Sequence, residues 1–125
     1  MKRLSAEQIK LLHKILLDET GGLDGIRDEN LFDSAINAPF QTFDGKQLYA
    51  TIEQKAARLG FSLIKDHAFN DGNKRVGILA MLTFLELNGI VIDASDDELI
   101  SIGLGVADGS MSDKDLLKWI LDKEN

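Results

Sequence analysis

Apolar residues recur at helical spacing along most of the chain, and capping residues punctuate them. Ile9, Leu12 and Leu16 share one face of a first helix, with Ser5 and Gln8 at capping-box spacing before it and Gly21-Gly22 after it. A glycine-rich connector, GGLDGIRD, leads to Asp28, the N-cap of a short helix that carries Leu31, Phe32, Ala35 and Ile36 and closes at Pro39. Thr51 with Gln54 opens a third helix, with Ile52, Ala56, Leu59 and Leu63 on one face, running to Asp66 or His67. The next helix runs from about Asn73 to Leu87 and stops at Asn88-Gly89. Its VGILAMLTFLEL is apolar nearly all round, so it is expected to be central and the most buried, with Leu79, Leu82, Phe84 and Leu85 inaccessible. Ser95 with Glu98 and Ser112 with Asp115 cap two more helices.

The helical pattern breaks once, at FQTFDGKQLYA. Asp44-Gly45 is a hairpin turn signal between the β-formers Thr42, Phe43, Leu48 and Tyr49. The expected fold is all-α: a compact bundle of about six helices in a single domain, residues 1–125, with a short flap or hairpin.

Composition narrows the function. A chain of 125 residues can bury a core without staples. It has no cysteine, which excludes a disulfide framework and a thiol nucleophile and suits a reducing cytoplasm. The N-terminal MKRLSAEQIK has no apolar segment of signal-peptide type, and Val76–Leu85 is too short to span a bilayer. A cytoplasmic protein with no membrane partner is expected. The formal net charge of −7 argues against direct nucleic-acid binding, which rests on cations meeting phosphates. A local cationic pocket could still hold a small phosphate ligand.

HAFNDGNKR, residues 67–75, is such a place. It joins the end of one helix to the start of the central one, where unpaired amides and the positive end of the dipole bind phosphate. Gly72 lets the backbone form a nest that an anion can approach closely. Lys74 and Arg75 in a first helical turn oppose the dipole, a cost that a bound anion would offset. Asp71 is a hard oxygen ligand suited to Mg²⁺. His67 has an unperturbed pKa near neutrality and can accept a proton from an attacking hydroxyl. Phe69 is expected to plug into the core. Taken singly, His67 also fits a helix C-cap, Asp71-Gly72 an ordinary turn, and Lys74 with Arg75 a solvated face. Their grouping in nine residues before a buried helix favours a site. His13, among Leu11, Leu12 and Ile15, receives no role.

These residues resemble the motif of the Fic/Doc superfamily, H-x-F-x-(D/E)-(G/A)-N-(G/K)-R. Lysine before the final arginine resembles the Doc (death-on-curing) branch, toxins of toxin–antitoxin modules. GGLDGIRDENLFDSAI, TFDGKQLYATIEQKAA, LTFLELNG and DASDDEL extend the resemblance over nearly the whole chain. The resemblance implies an all-α fold and transfer of part of a nucleoside triphosphate to a protein hydroxyl. It implies His67 as general base, Asp71 as the Mg²⁺ ligand, and Arg75 with Lys74 acting on the phosphates. Asn70, Gly72, Asn73, Lys74 and Arg75 would bind the nucleotide, and residues 41–49 would hold the target segment. Ala68 replaces a common proline, Lys74 the glycine of the AMP transferases, and Ile78 their second arginine. These departures imply a kinase that transfers the γ-phosphate of ATP to a target protein, with a translation factor as the class of target. An AMP transferase and a non-catalytic phosphate- or protein-binding module are the alternatives. No (S/T)-x-x-x-E-(G/N) inhibitory helix is evident, so a separate, Phd-like antitoxin is expected.

Overall fold

The computed structural model describes residues 1–124. Six α-helices account for most of it: α1 (Ala6–Thr20), α2 (Glu29–Asn37), α3 (Ile52–Asp66), α4 (Asn73–Leu87), α5 (Asp96–Asp108) and α6 (Asp113–Lys123). A 3₁₀ turn, Ala38–Phe40, carries the chain from α2 into a two-stranded ribbon, β1 (Thr42–Phe43) and β2 (Lys46–Gln47). The all-α fold with a short hairpin is therefore as the periodicity predicts. Five helices start where their caps were legible: Ser5, Asp28, Thr51, Ser95 and Ser112 each accept from the third backbone amide of the helix they open.

The buried apolar residues form one core to which every helix contributes, from Ile9 in α1 to Leu116 and Ile120 in α6. At its centre α3 and α4 approach almost backbone to backbone. A methyl group added to Gly77 would lie 2.5 Å from Ile64 Cγ1 and 3.1 Å from the Gly60 carbonyl oxygen. Glycine at the crossing point sets that short separation, since the side chains at a contact fix how close two helices come.

Three details differ from the sequence reading. Leu79 and Leu82 are only half-buried, whereas Phe84 and Leu85 are inaccessible. The uncovered face of α4 meets a groove of about 460 Å³ between α1, α4 and α5. Second, α4 is not more buried than α3, since each buries eight residues. Third, the inner face of α1 is Ile9, His13 and Leu17, with Leu12 and Leu16 beside it and partly covered.

The ribbon turns at Asp44 (φ 53°) and Gly45 (φ 77°), two left-handed residues that match the twist of a two-residue hairpin. Thr42 pairs with Gln47 and Phe43 with Lys46. Its base is tied to α3 by Lys55, whose buried ammonium donates to Gln47 Oε1 at 2.6 Å and to the Tyr49 carbonyl. Both acceptors are neutral, and burial pulls the Lys55 pKa below its ordinary value. Among the described residues, no helix is long and apolar enough to cross a membrane.

Candidate functional site

The site is a loop, residues 67–72, built on the connector that precedes α2. α3 ends at His67, which takes a left-handed conformation (φ 52°, ψ 47°) and turns the chain out of the helix. Carbonyls at a helix C-terminus lack intrahelical partners and carry the negative end of the dipole. Arg27 meets both needs: its Nε donates to the His67 carbonyl at 2.8 Å and its Nη2 to that of Asp66 at 3.3 Å. Backbone amides of Arg27 and Asp28 both donate to the Ala68 carbonyl, at 2.7 and 3.1 Å. Ile26 and Phe69 then form an antiparallel bridge, and the Asn70 amide donates to the Gly25 carbonyl at 3.1 Å. Burial raises the pKa of Asp66, with the nearby positive charge of Arg58 working against it.

Inside the turn, Phe69 is buried, edge-on to Phe32 at a ring separation of 5.4 Å and stacked on His13 at 3.9 Å. Asn73, only 4 % exposed, closes the loop. Its Oδ1 accepts from the Phe69 amide and its Nδ2 donates to the Phe69 carbonyl, both at 3.0 Å. The side chain of Asn73 is therefore committed inward, to the main chain of Phe69.

The outer face is a concavity of about 240 Å³ lined by His67, Asp71, Gly72, Asn73, Lys74, Arg75 and Ala107. The loop thus brings together six of the seven residues singled out in the sequence. Asn70 lies outside this lining, its side-chain amide donating to the Asp24 carbonyl at 3.2 Å. His67 is exposed, as are Lys74 and Arg75. Gly72 is the N-cap of α4 with φ 76°, a conformation glycine adopts without strain, and α4 alone among the six helices begins without a side-chain cap. Its first-turn amides are left for another acceptor. The amide of Gly72 itself is taken by Asp71 Oδ1 at 2.9 Å. The guanidinium of Arg75 donates to the Thr20 hydroxyl at the end of α1.

Asp71 is the single carboxylate of the lining, and no group of three or more potential metal-ligating His, Cys, Asp or Glu residues occurs among the described residues. That donor set fits Mg²⁺, which is commonly held by one or two carboxylates with phosphate oxygens and waters, and does not fit an all-protein cage. Sequence reasoning missed three contributors: His13, Thr20 and Arg27. A signal existed for His13, which lies four residues from both Ile9 and Leu17 on the buried stripe. A buried imidazole there needs a polar partner.

The family model described as the Fic/DOC family matches residues 3–85. A protein named Toxin Doc from Mycolicibacterium smegmatis is 42% identical over 77 residues, 62% of this chain and 59% of that protein. A protein named Protein kinase doc from Escherichia phage P1 is 30% identical over 112 residues, 90% of this chain and 87% of that one. The match thus spans less than two thirds of the mycobacterial relative and most of the phage one.

Replacing Asn73 with Ala should leave the buried amide and carbonyl of Phe69 without partners. At roughly 1–3 kcal/mol for each unsatisfied group, a loss of about 2–6 kcal/mol is expected in urea denaturation. A loss below about 0.5 kcal/mol, the range of ordinary surface substitutions, would mean that Asn73 does not close the loop.

Proposed function

The chain belongs to the Fic/DOC family, and on that premise we propose that it is a toxin of a toxin–antitoxin module that phosphorylates a target protein. The proposed reaction is that of a protein Ser/Thr kinase-like phosphotransferase: the γ-phosphate of ATP passes to a target hydroxyl. One observation carries the reading. The uncapped start of α4, with Lys74 and Arg75 in its first turn, lies in one concavity with the exposed imidazole of His67. Two cations at the positive end of a dipole are unfavourable unless an anion joins them, and phosphates are that anion.

His67 accepts the proton of the attacking hydroxyl as the oxygen–phosphorus bond forms. The bond from the γ-phosphorus to the bridging oxygen breaks, and ADP leaves. The α4 amides, Lys74 and Arg75 balance the charge that develops on the phosphoryl oxygens. Asp71 would hold Mg²⁺, which supplies further neutralisation between the phosphates when bound with ATP.

Lys74 favours γ-phosphate transfer over adenylylation. It lines both the concavity and the larger groove between α1, α4 and α5, as Arg75 does, so its side chain stands at the boundary of the two. Glycine there would remove a long cationic side chain from that boundary and leave more room for a differently oriented nucleotide. Ile78, where AMP transferases of this family often carry a second arginine, is buried against the groove. The name of the phage relative also supports a kinase.

The same groove supports a Phd-like antitoxin as partner. Leu16, Ile78, Leu79, Leu82 and Leu99 line it, and Ile100 and Leu104 stand 61 % and 52 % exposed along α5. An apolar channel of that kind takes the apolar face of an amphipathic helix. The target, in this reading a translation factor, would lie along the open edge of the ribbon, where Phe43 is exposed.

His67→Ala should lower transfer of labelled phosphate to protein in a lysate by about 10²–10⁴-fold and abolish growth arrest on induction, with the fold unchanged. Near-normal transfer by the folded variant would remove His67 from the mechanism. Leu104→Asp, at an exposed position, should weaken inhibition by the co-expressed antitoxin while leaving transfer intact. Unchanged inhibition would place the antitoxin elsewhere.

A further inference from the structure

His13 is almost fully buried, 2 % exposed, in the middle of α1. A histidine among aliphatic residues is commonly a core filler whose polar atoms find a nearby carbonyl. His13 differs in what it reaches. Its Nε2 lies 2.7 Å from the carbonyl oxygen of Asp71, fifty-eight residues away in the motif loop. Its ring lies flat on Phe69 of the same loop, with an interplanar angle of 17°. A carbonyl oxygen only accepts, so Nε2 carries the hydrogen and donates it. Nδ1 faces the connector, 3.8 Å from Asp24 Oδ1.

The residues that follow on the same stripe continue the contact. Leu17 lies one turn on and Thr20 almost two turns on, at the i+4 and i+7 spacing of one helix face. A methyl group on Gly72 would lie 3.4 Å from Leu17 Cδ2 and 3.5 Å from His13 Nε2. Thr20 receives the guanidinium of Arg75. Three successive positions on α1 thus meet Phe69, Asp71, Gly72 and Arg75.

The contact made by His13 falls on one particular peptide unit. The Asp71 carbonyl and the Gly72 amide belong to the same rigid plane. His13 holds the oxygen end, and Asp71 Oδ1 accepts from the nitrogen end at 2.9 Å. Rotation of that plane would break both hydrogen bonds, and a carbonyl oxygen turned toward the start of α4 would stand where an anion approaches the amides. A carbonyl dipole there repels an anion.

We propose that His13 is a positioning residue for the motif loop: by donating to the Asp71 carbonyl it locks the 71–72 peptide in the orientation that keeps the start of α4 open to phosphate. What the loop binds rests on the phosphoryl-transfer reading; the locking of the loop does not.

Two variants separate the donor from the ring. His13→Phe keeps an aromatic ring against Phe69 and removes the hydrogen bond. His13→Gln removes the ring and keeps an N–H of similar reach. Amide hydrogen exchange is followed at Gly72 in the loop and at Phe84 and Leu85 in the centre of α4, beside steady-state kinetics with MgATP. In His13→Phe, exchange at Gly72 should rise roughly tenfold, the scale of one unsatisfied buried carbonyl, with Phe84 and Leu85 unchanged. KM for the nucleotide should rise by a similar factor with kcat nearly unchanged, because apparent affinity scales with the fraction of loop in the competent state. His13→Gln should recover most of both effects. Unchanged exchange at Gly72 in His13→Phe, or a rise shared equally by Phe84 and Leu85, would overturn the proposal and leave His13 as core packing. A fall in kcat at constant KM would overturn it too. If the unaltered protein transfers no phosphate, the functional reading falls, and the exchange pattern alone still decides the role of His13.

Discussion

Two hydrogen bonds between the Asn73 side chain and the main chain of Phe69 join the first residue of α4 to the loop that precedes it. They satisfy a buried amide and a buried carbonyl at once, in a place that water does not reach. With that closure made, Phe69 stays in the core between Phe32 and His13, and His67, two residues earlier, is held out at the surface. Gly72 opens α4 in a left-handed conformation just after the closure, so no side chain covers the first-turn amides. Exposure of the imidazole and openness of the helix end are thus two outcomes of one packing arrangement.

The rest of the molecule braces that arrangement from below and from the side. The glycine-rich connector runs antiparallel to the loop, and Arg27 neutralises the carbonyl end of α3. α1 supports the loop from beneath through His13, Leu17 and Thr20. The close crossing at Gly60 and Gly77 fixes how α3 and α4 lie, and so where the loop between them must turn. The net charge of −7 does not count against the proposed phosphate site, because the cations and the helix dipole act locally, while distant carboxylates are screened by salt beyond a Debye length of about 8–10 Å.

Much of this was legible in the chain, for local reasons. Helix starts were marked by serine or threonine followed by an acceptor three residues on, or by Asp28 alone, and the hairpin by Asp44-Gly45. The motif residues were legible because they are contiguous. What escaped depended on distant partners. A helix apolar all round carries no mark of which side its neighbours leave bare, so Leu79 and Leu82 were expected in the core and line a groove instead. Asn73 was read as a nucleotide-binding residue, and nothing in the motif announces that its side chain turns inward to close on Phe69. His13 and Arg27 meet loop atoms roughly forty to sixty residues away, contacts that no local pattern encodes.

ATP labelled at either the α- or the γ-phosphate, incubated with the protein, Mg²⁺ and a lysate, distinguishes the chemistry most directly. If Lys74, in place of glycine, sets the nucleotide with its γ-phosphate near His67, label should reach protein from γ-labelled ATP alone, with ADP as the second product. Transfer from α-labelled ATP would contradict the kinase reading and establish adenylylation at the same loop. Transfer from neither label would contradict ATP-dependent transfer altogether.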